Sequence, residues 1–97
     1  MPGAHRNGDL RVCSATTVVQ NQGSVYVNGR LWAVEGSENS HTGGGLIPSG
    51  HTVFCEGKKV IVHAPDHAVP DASCPIPATH CDPMTAEGSA DVFAYGK

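Results

Sequence analysis

Apolar residues along this chain come in short bursts broken by glycine, proline and polar turns, and no burst carries a helical period. The clearest burst is "SVYVNGRLWAV", from Ser24 to Val34. It reads as two short strands joined by Asn28-Gly29, the strongest two-residue hairpin signal, because both turn positions need positive φ. The phrase returns as "TVFCEGKKVIV" and again, clipped, as "DVFAYGK". Aligned on Val25, Val53 and Val92, each copy runs valine, aromatic, two variable residues, glycine, at offsets of 28 and 39 residues. A repeat is a unit that buries its apolar face against its copies. The pattern therefore predicts an all-β, pseudo-threefold hairpin-repeat domain. The third copy stops at Lys97, so an N-terminal segment is expected to supply a missing strand. The stretch 64–87 reads as one long loop holding five of the seven prolines.

Composition narrows the reading. Ninety-seven residues argue for a single domain, 1–97, with a thin core. The net charge is -3 and lysine and arginine form no run, so no nucleic-acid partner is expected. No apolar run approaches the roughly 20 residues of a membrane span. "MPGAHRNGDL" has no apolar signal-peptide core, so folding in a reducing cytosol is expected. There, four cysteines are more often free or metal-bound than bridged.

Six histidines sharpen that point. Counting twelve residues back from Val25, Val53 and Val92 reaches Cys13, His41 and His80. Three copies around one axis would bring three such side chains together, and zinc takes four nitrogen or sulfur donors in a tetrahedron. Candidates for the fourth are Cys81, Cys74 and His67, all in the long loop; Cys81 could also replace its neighbour His80. The predicted cofactor is one structural Zn2+ per chain, with iron as the alternative. Each residue also has a plainer reading. His5 reads as exposed, His51 and His63 as solvated strand ends, and Cys55 as core. Cys74 and Cys81 could form a disulfide if the chain matures outside the cell. No His-Glu-x-x-His, deaminase, nucleophile-elbow or phosphate-loop motif occurs. A non-enzymatic protein is expected. The enzymatic alternative is a small zinc hydrolase drawing on Asp66, Asp71 or Asp82; a third reading is a disulfide-stapled module that binds a glycan or receptor.

The opening "MPGAHRNGD" resembles the start of PAAR-repeat proteins, Met-Pro-x-Ala-x-Arg-x-Gly-Asp. "GSVYVNGRLWAVEGS" stands where that family has its repeat phrase, and "HTGG" at His41 is similar to its His-x-Gly-Gly loop. The Pro-Ala-Ala-Arg phrase itself is replaced by Leu31 to Val34 and by Lys59 to Val62. The resemblance implies a short cone, stapled near its vertex by a zinc ion held by three histidines and a cysteine. It implies a cap that sharpens the C-terminal end of a trimeric β-helical spike, one tip per trimer. That spike belongs to a contractile injection machine, and the tip makes transient contact with the target envelope. The divergent repeats lean toward a virion location at a phage tail baseplate. The alternative is a tip secreted through a type VI system, with effector cargo. Trp32 and Val60-Ile61-Val62 are candidates for the core or for the docking base.

Overall fold

The computed structural model describes residues 3–48, 53–63, 65–74 and 78–92, and over these the chain is all-β. The strands are two-residue antiparallel pieces: β1 (Gly3–Ala4), β2 (Thr17–Val18), β3 (Tyr26–Val27), β4 (Arg30–Leu31), β5 (Glu38–Asn39), β6 (Leu46–Ile47), β7 (Phe54–Cys55), β8 (Lys58–Lys59), β9 (Val62–His63) and β10 (His67–Ala68). One 3-10 turn spans Ala78–Cys81.

Two of the three hairpin phrases fold as read. β3 pairs with β4 and β7 with β8, in the same register. Asn28 and Gly29 have φ of 53° and 80°; Glu56 and Gly57 have 51° and 80°. These left-handed pairs give the turn the twist that antiparallel strands require. Glutamate tolerates that conformation less well than asparagine. Here the Gly23 N–H and the Ser24 hydroxyl both donate to its carboxylate. Of the third phrase, Phe93 to Lys97 lie outside the described residues.

The copies close on one another through backbone hydrogen bonds. His5 N–H donates to the Ile61 carbonyl (3.1 Å), Ile61 to Ala33 (2.9 Å) and Ala33 back to His5 (2.9 Å). These residues are spaced by 28 in the sequence, and none is exposed. A second ring has the same direction: Val12 donates to Met84, Ser40 to Thr16 and Ala72 to Thr42. Strand pairs repeat the theme between copies, β2 with β5 and β6 with β10, while an isolated bridge joins Arg11 to Thr85. Every backbone donor and acceptor consumed in a ring is satisfied by a neighbouring copy, so short strands suffice to order the chain.

The N-terminal segment fills the gap the sequence predicts. β1 pairs with β9, while the Ala4 N–H donates to the Val92 carbonyl and the Ala4 carbonyl accepts from the Ser89 N–H. A Cβ on Gly3 would lie 2.2 Å from the Ser89 carbonyl oxygen, so this approach requires glycine. The same segment carries His5 inward. The expectation of an exposed His5 fails because its backbone is one corner of the first ring.

The apolar core has two parts. Val19, Ala33, Leu46, Ile61 and Ala68 form one cluster; Val34, Cys55, Val60 and Val62 form the other. Val60-Ile61-Val62 is thus core and not a docking base. Trp32 packs against the second cluster, and its indole N–H donates to the Ile61 carbonyl at 3.0 Å. Nor is 64–87 one open loop: β10, a turn at Asp71, the 3-10 turn and the Thr85 bridge divide its described residues.

Candidate metal centre

The repeated hydrogen bonds identify equivalent positions. Arg11 N–H donates to Ala15, Asn39 to Gly43, and Asp71 to His80. Arg11, Asn39 and Asp71 are therefore one triplet, all buried, carrying a positive, a neutral and a negative side chain. The guanidinium of Arg11 donates to Thr17 Oγ1 and to the carbonyls of Gly44, Pro83 and Ser37, at 2.6 to 3.0 Å. Burial lowers its pKa to about 10, with Cys13 and Asp71 opposing that shift, so it remains charged at neutral pH.

Beside this triplet, one donor atom each from Cys13, His41, Asp71 and His80 lie within 4.8 Å of one another. His80 Nδ1 is 2.8 Å from Asp71 Oδ2, His41 Nδ1 is 3.6 Å from the same oxygen, and the two imidazole nitrogens are 3.2 Å apart. Cys13 Sγ is 3.8 Å from Asp71 Oδ2. A tetrahedral zinc with arms of about 2.0–2.3 Å has donor–donor edges of about 3.3–3.6 Å, and these separations bracket that range. The proton count points the same way. If His80 Nδ1 donates to Asp71, it has no lone pair left for His41 Nδ1. Two imidazole nitrogens, a carboxylate oxygen and a cysteine sulfur converge on one space. This buried Cys/His/Asp/His group could hold a metal ion.

Asp71 is prepared for that role. Burial pushes its carboxyl pKa up, but hydrogen bonds from His80, Asn39 and the Ser73 N–H overcome this and hold it well below the usual carboxylate range. Asn39 also orients the cluster from the other side: its Nδ2 donates to Asp71 Oδ2 (3.0 Å) and its Oδ1 accepts from His41 N–H (2.8 Å). Such outer partners fix ligand orientation.

The three in-phase residues, Cys13, His41 and His80, meet, though by an uneven route. His80 stands in the register of Ala15 and Gly43; the residue equivalent to Cys13 and His41 is Ser73. The longer third-copy turn delivers His80 to the same space. The other three candidates sit elsewhere. Cys74 and Cys81 are bonded to each other, so neither offers a thiolate, and the expectation of four unbridged cysteines gives way to two, Cys13 and Cys55. His67 faces outward because its neighbour Ala68 takes the inward position of β10. It pairs with Asp82 at 2.7 Å. The fourth member of the group is Asp71, which the sequence offered only as a hydrolytic carboxylate.

Of the remaining histidines, His63 is half-buried against Thr85 Oγ1 at 3.0 Å, and His51 lies outside the described residues. His5 forms a separate polar chain. Arg11 Nε–H donates to Thr17 Oγ1, the Thr17 hydroxyl donates to His5 Nε2, and His5 Nδ1–H donates to the Glu87 carbonyl. Burial pulls this imidazole from 6.5 down to about 4, only partly opposed by Glu87 and Asp9. Cys55 is core, as read, and burial raises its pKa.

No protein-family model, curated protein or solved structure matches the chain.

Proposed function

We propose that this protein is a non-enzymatic, metal-stapled cap for a threefold-symmetric partner, the tip of a trimeric β-helical spike in a contractile injection machine. The observation that carries the reading is the closed ring His5–Ile61–Ala33, by which one chain presents three equivalent backbones around an axis. A trimer ends in a threefold surface, and a single chain matches it only by offering the same face three times. The sequence resemblance to PAAR-repeat proteins supplies the rest of the identification. Exposed aromatics at one repeat position, Tyr26 (60% exposed) and Phe54 (54% exposed), suit the docking face; their counterpart Phe93 lies outside the described residues.

Cys13, His41, Asp71 and His80 would hold the ion. A sulfur, two nitrogens and a carboxylate oxygen form a borderline set that suits Zn2+ or Fe2+. Four protein donors fill a structural site, whereas a catalytic zinc keeps one position for water, so the zinc-hydrolase reading is the weaker one. The bound ion would cross-link all three copies where the core is thin. A phage baseplate is the favoured setting and a type VI secretion spike with cargo the alternative; detection of the protein in purified virions separates them.

The test is co-expression with a trimeric β-helical spike protein from the same source, followed by native mass spectrometry. The expected species is one cap per trimer, lost when Tyr26→Ser and Phe54→Ser are combined. A capless trimer, or a stoichiometry unrelated to three, would contradict the reading.

A further inference from the structure

The disulfide closes a loop that carries one of the four donors, His80, and that begins three residues after a second, Asp71. Cys74 follows Asp71 by three residues and Cys81 follows His80 directly; the bridge spans a separation of 7 residues. Backbone hydrogen bonds place it against the same unit: Cys74 N–H donates to the Asp71 carbonyl, and Asp71 N–H donates to the His80 carbonyl. Asp71 has other anchors, in Asn39 and in the second backbone ring through Ala72. His80 has fewer. It sits in the short 3-10 turn whose last residue is Cys81. Both bridged cysteines are half-buried, so a small reductant can reach them.

From this placement we infer that the Cys74–Cys81 disulfide is a redox clamp on the metal centre: closed, it holds His80 against Asp71 for ligation; open, it releases His80 and weakens metal binding. The inference rests on the metal centre proposed above. Opening takes two electrons and two protons. A dithiol reductant attacks one sulfur, the S–S bond breaks, both cysteines end as thiols and the reductant ends as a disulfide. Affinity falls because a donor pre-positioned by a short covalent loop must then be ordered at the moment of binding. Loop-closure arguments place the effect on the order of a ten- to hundredfold weaker Kd. By linkage, the bound ion protects the bridge from reduction by the same factor.

The test is a Zn2+ competition titration of the full chain against a chromophoric chelator, in three forms. These are the oxidised protein, the protein reduced by a water-soluble phosphine (which becomes its oxide and adds no thiol), and the Cys74→Ser/Cys81→Ser variant. A parallel titration with Co2+ reads the sulfur-to-metal charge-transfer band. Tighter Zn2+ binding in the oxidised form than in both open forms, with the cobalt band unchanged at the strength of one thiolate, is expected. Equal affinity in all three forms would overturn the clamp while leaving the centre standing. So would tighter binding with a stronger sulfur band after reduction, because the freed thiols would then have joined as ligands. No Zn2+ binding in any form would overturn the centre and the clamp together. If the variant fails to fold, the oxidised and reduced wild-type chains alone decide the question.

Discussion

Two buried polar constellations lie side by side in this protein, and they are built on opposite principles. Around Arg11, donors and acceptors alternate: the guanidinium, Thr17, His5 and the Glu87 carbonyl form a chain in which each group finds a complement. Around Asp71, like meets like: two imidazole nitrogens stand 3.2 Å apart, with a thiol and a carboxylate facing the same space. The first arrangement is a finished structural network. The second gathers four metal-ligating side chains around one space that could hold a cation. Burial and polarity alone would not separate them; the count of protons against lone pairs does.

Breaking the finished network should have the largest effect. Arg11→Met removes the guanidinium from the buried carbonyls of Gly44 and Pro83, while the Ser37 carbonyl keeps the Leu46 N–H; at ~1 kcal/mol or more for each of the two, this costs at least about 2 kcal/mol. Chemical unfolding should show a chain near the edge of folding; a variant as stable as the wild type would contradict the network's structural role. Breaking the donor cluster should look different. His41→Ala combined with His80→Ala should cost the metal-free chain about the His80–Asp71 hydrogen bond, ~1.5 kcal/mol. It should abolish the stabilisation by zinc, about 2.7 kcal/mol at a concentration a hundred times Kd. Thermal melts with and without Zn2+ read both halves of that statement.

The pH dependence sharpens the contrast further. His5 is held neutral, with its folded pKa near 4 against 6.5 when free. The unfolded chain therefore binds the proton first as pH falls. The His5 contribution is intact above about 6.5 and is lost between about 6.5 and 4, at up to roughly 1.4 kcal/mol per pH unit. Asp71 acts in a lower window, because its depressed carboxyl loses its contribution only as pH falls below the ordinary carboxylate range. Unfolding curves of His5→Gln should lose the upper slope and keep the lower one; an unchanged slope would mean that His5 does not carry it. The smallest effect is expected at Asn39→Ala. Losing the link that orients Asp71 and His41 should weaken Zn2+ binding about tenfold, with the fold retained, as measured by competition titration.

How much of this could be read beforehand follows the local physics. Asn28-Gly29 announced its hairpin because two left-handed residues in a row are rare and chemically marked. Glu56-Gly57 was legible only as an echo of it, since glutamate does not advertise that conformation and is held there by Ser24 and Gly23. Cys13 and His41 were legible because they share a repeat position. His80 was found by counting back from the C-terminal end of its copy, across the longer turn that displaces it from that position. Asp71 was not legible as a ligand. It is one of nine acidic residues, and only the Arg11–Asn39–Asp71 triplet, visible in the hydrogen bonds, marks its place. His5 misled for a similar reason: its polar neighbours suggest a surface, whereas ring closure buries it.

The most direct test of the central claim is the metal content of the purified protein by elemental mass spectrometry, taken beside the His41→Ala/His80→Ala variant. The account predicts about one zinc or iron per wild-type chain, as a single four-donor site requires, and essentially none in the variant. A wild-type chain without metal, or a variant that retains it, would contradict the stapled cap.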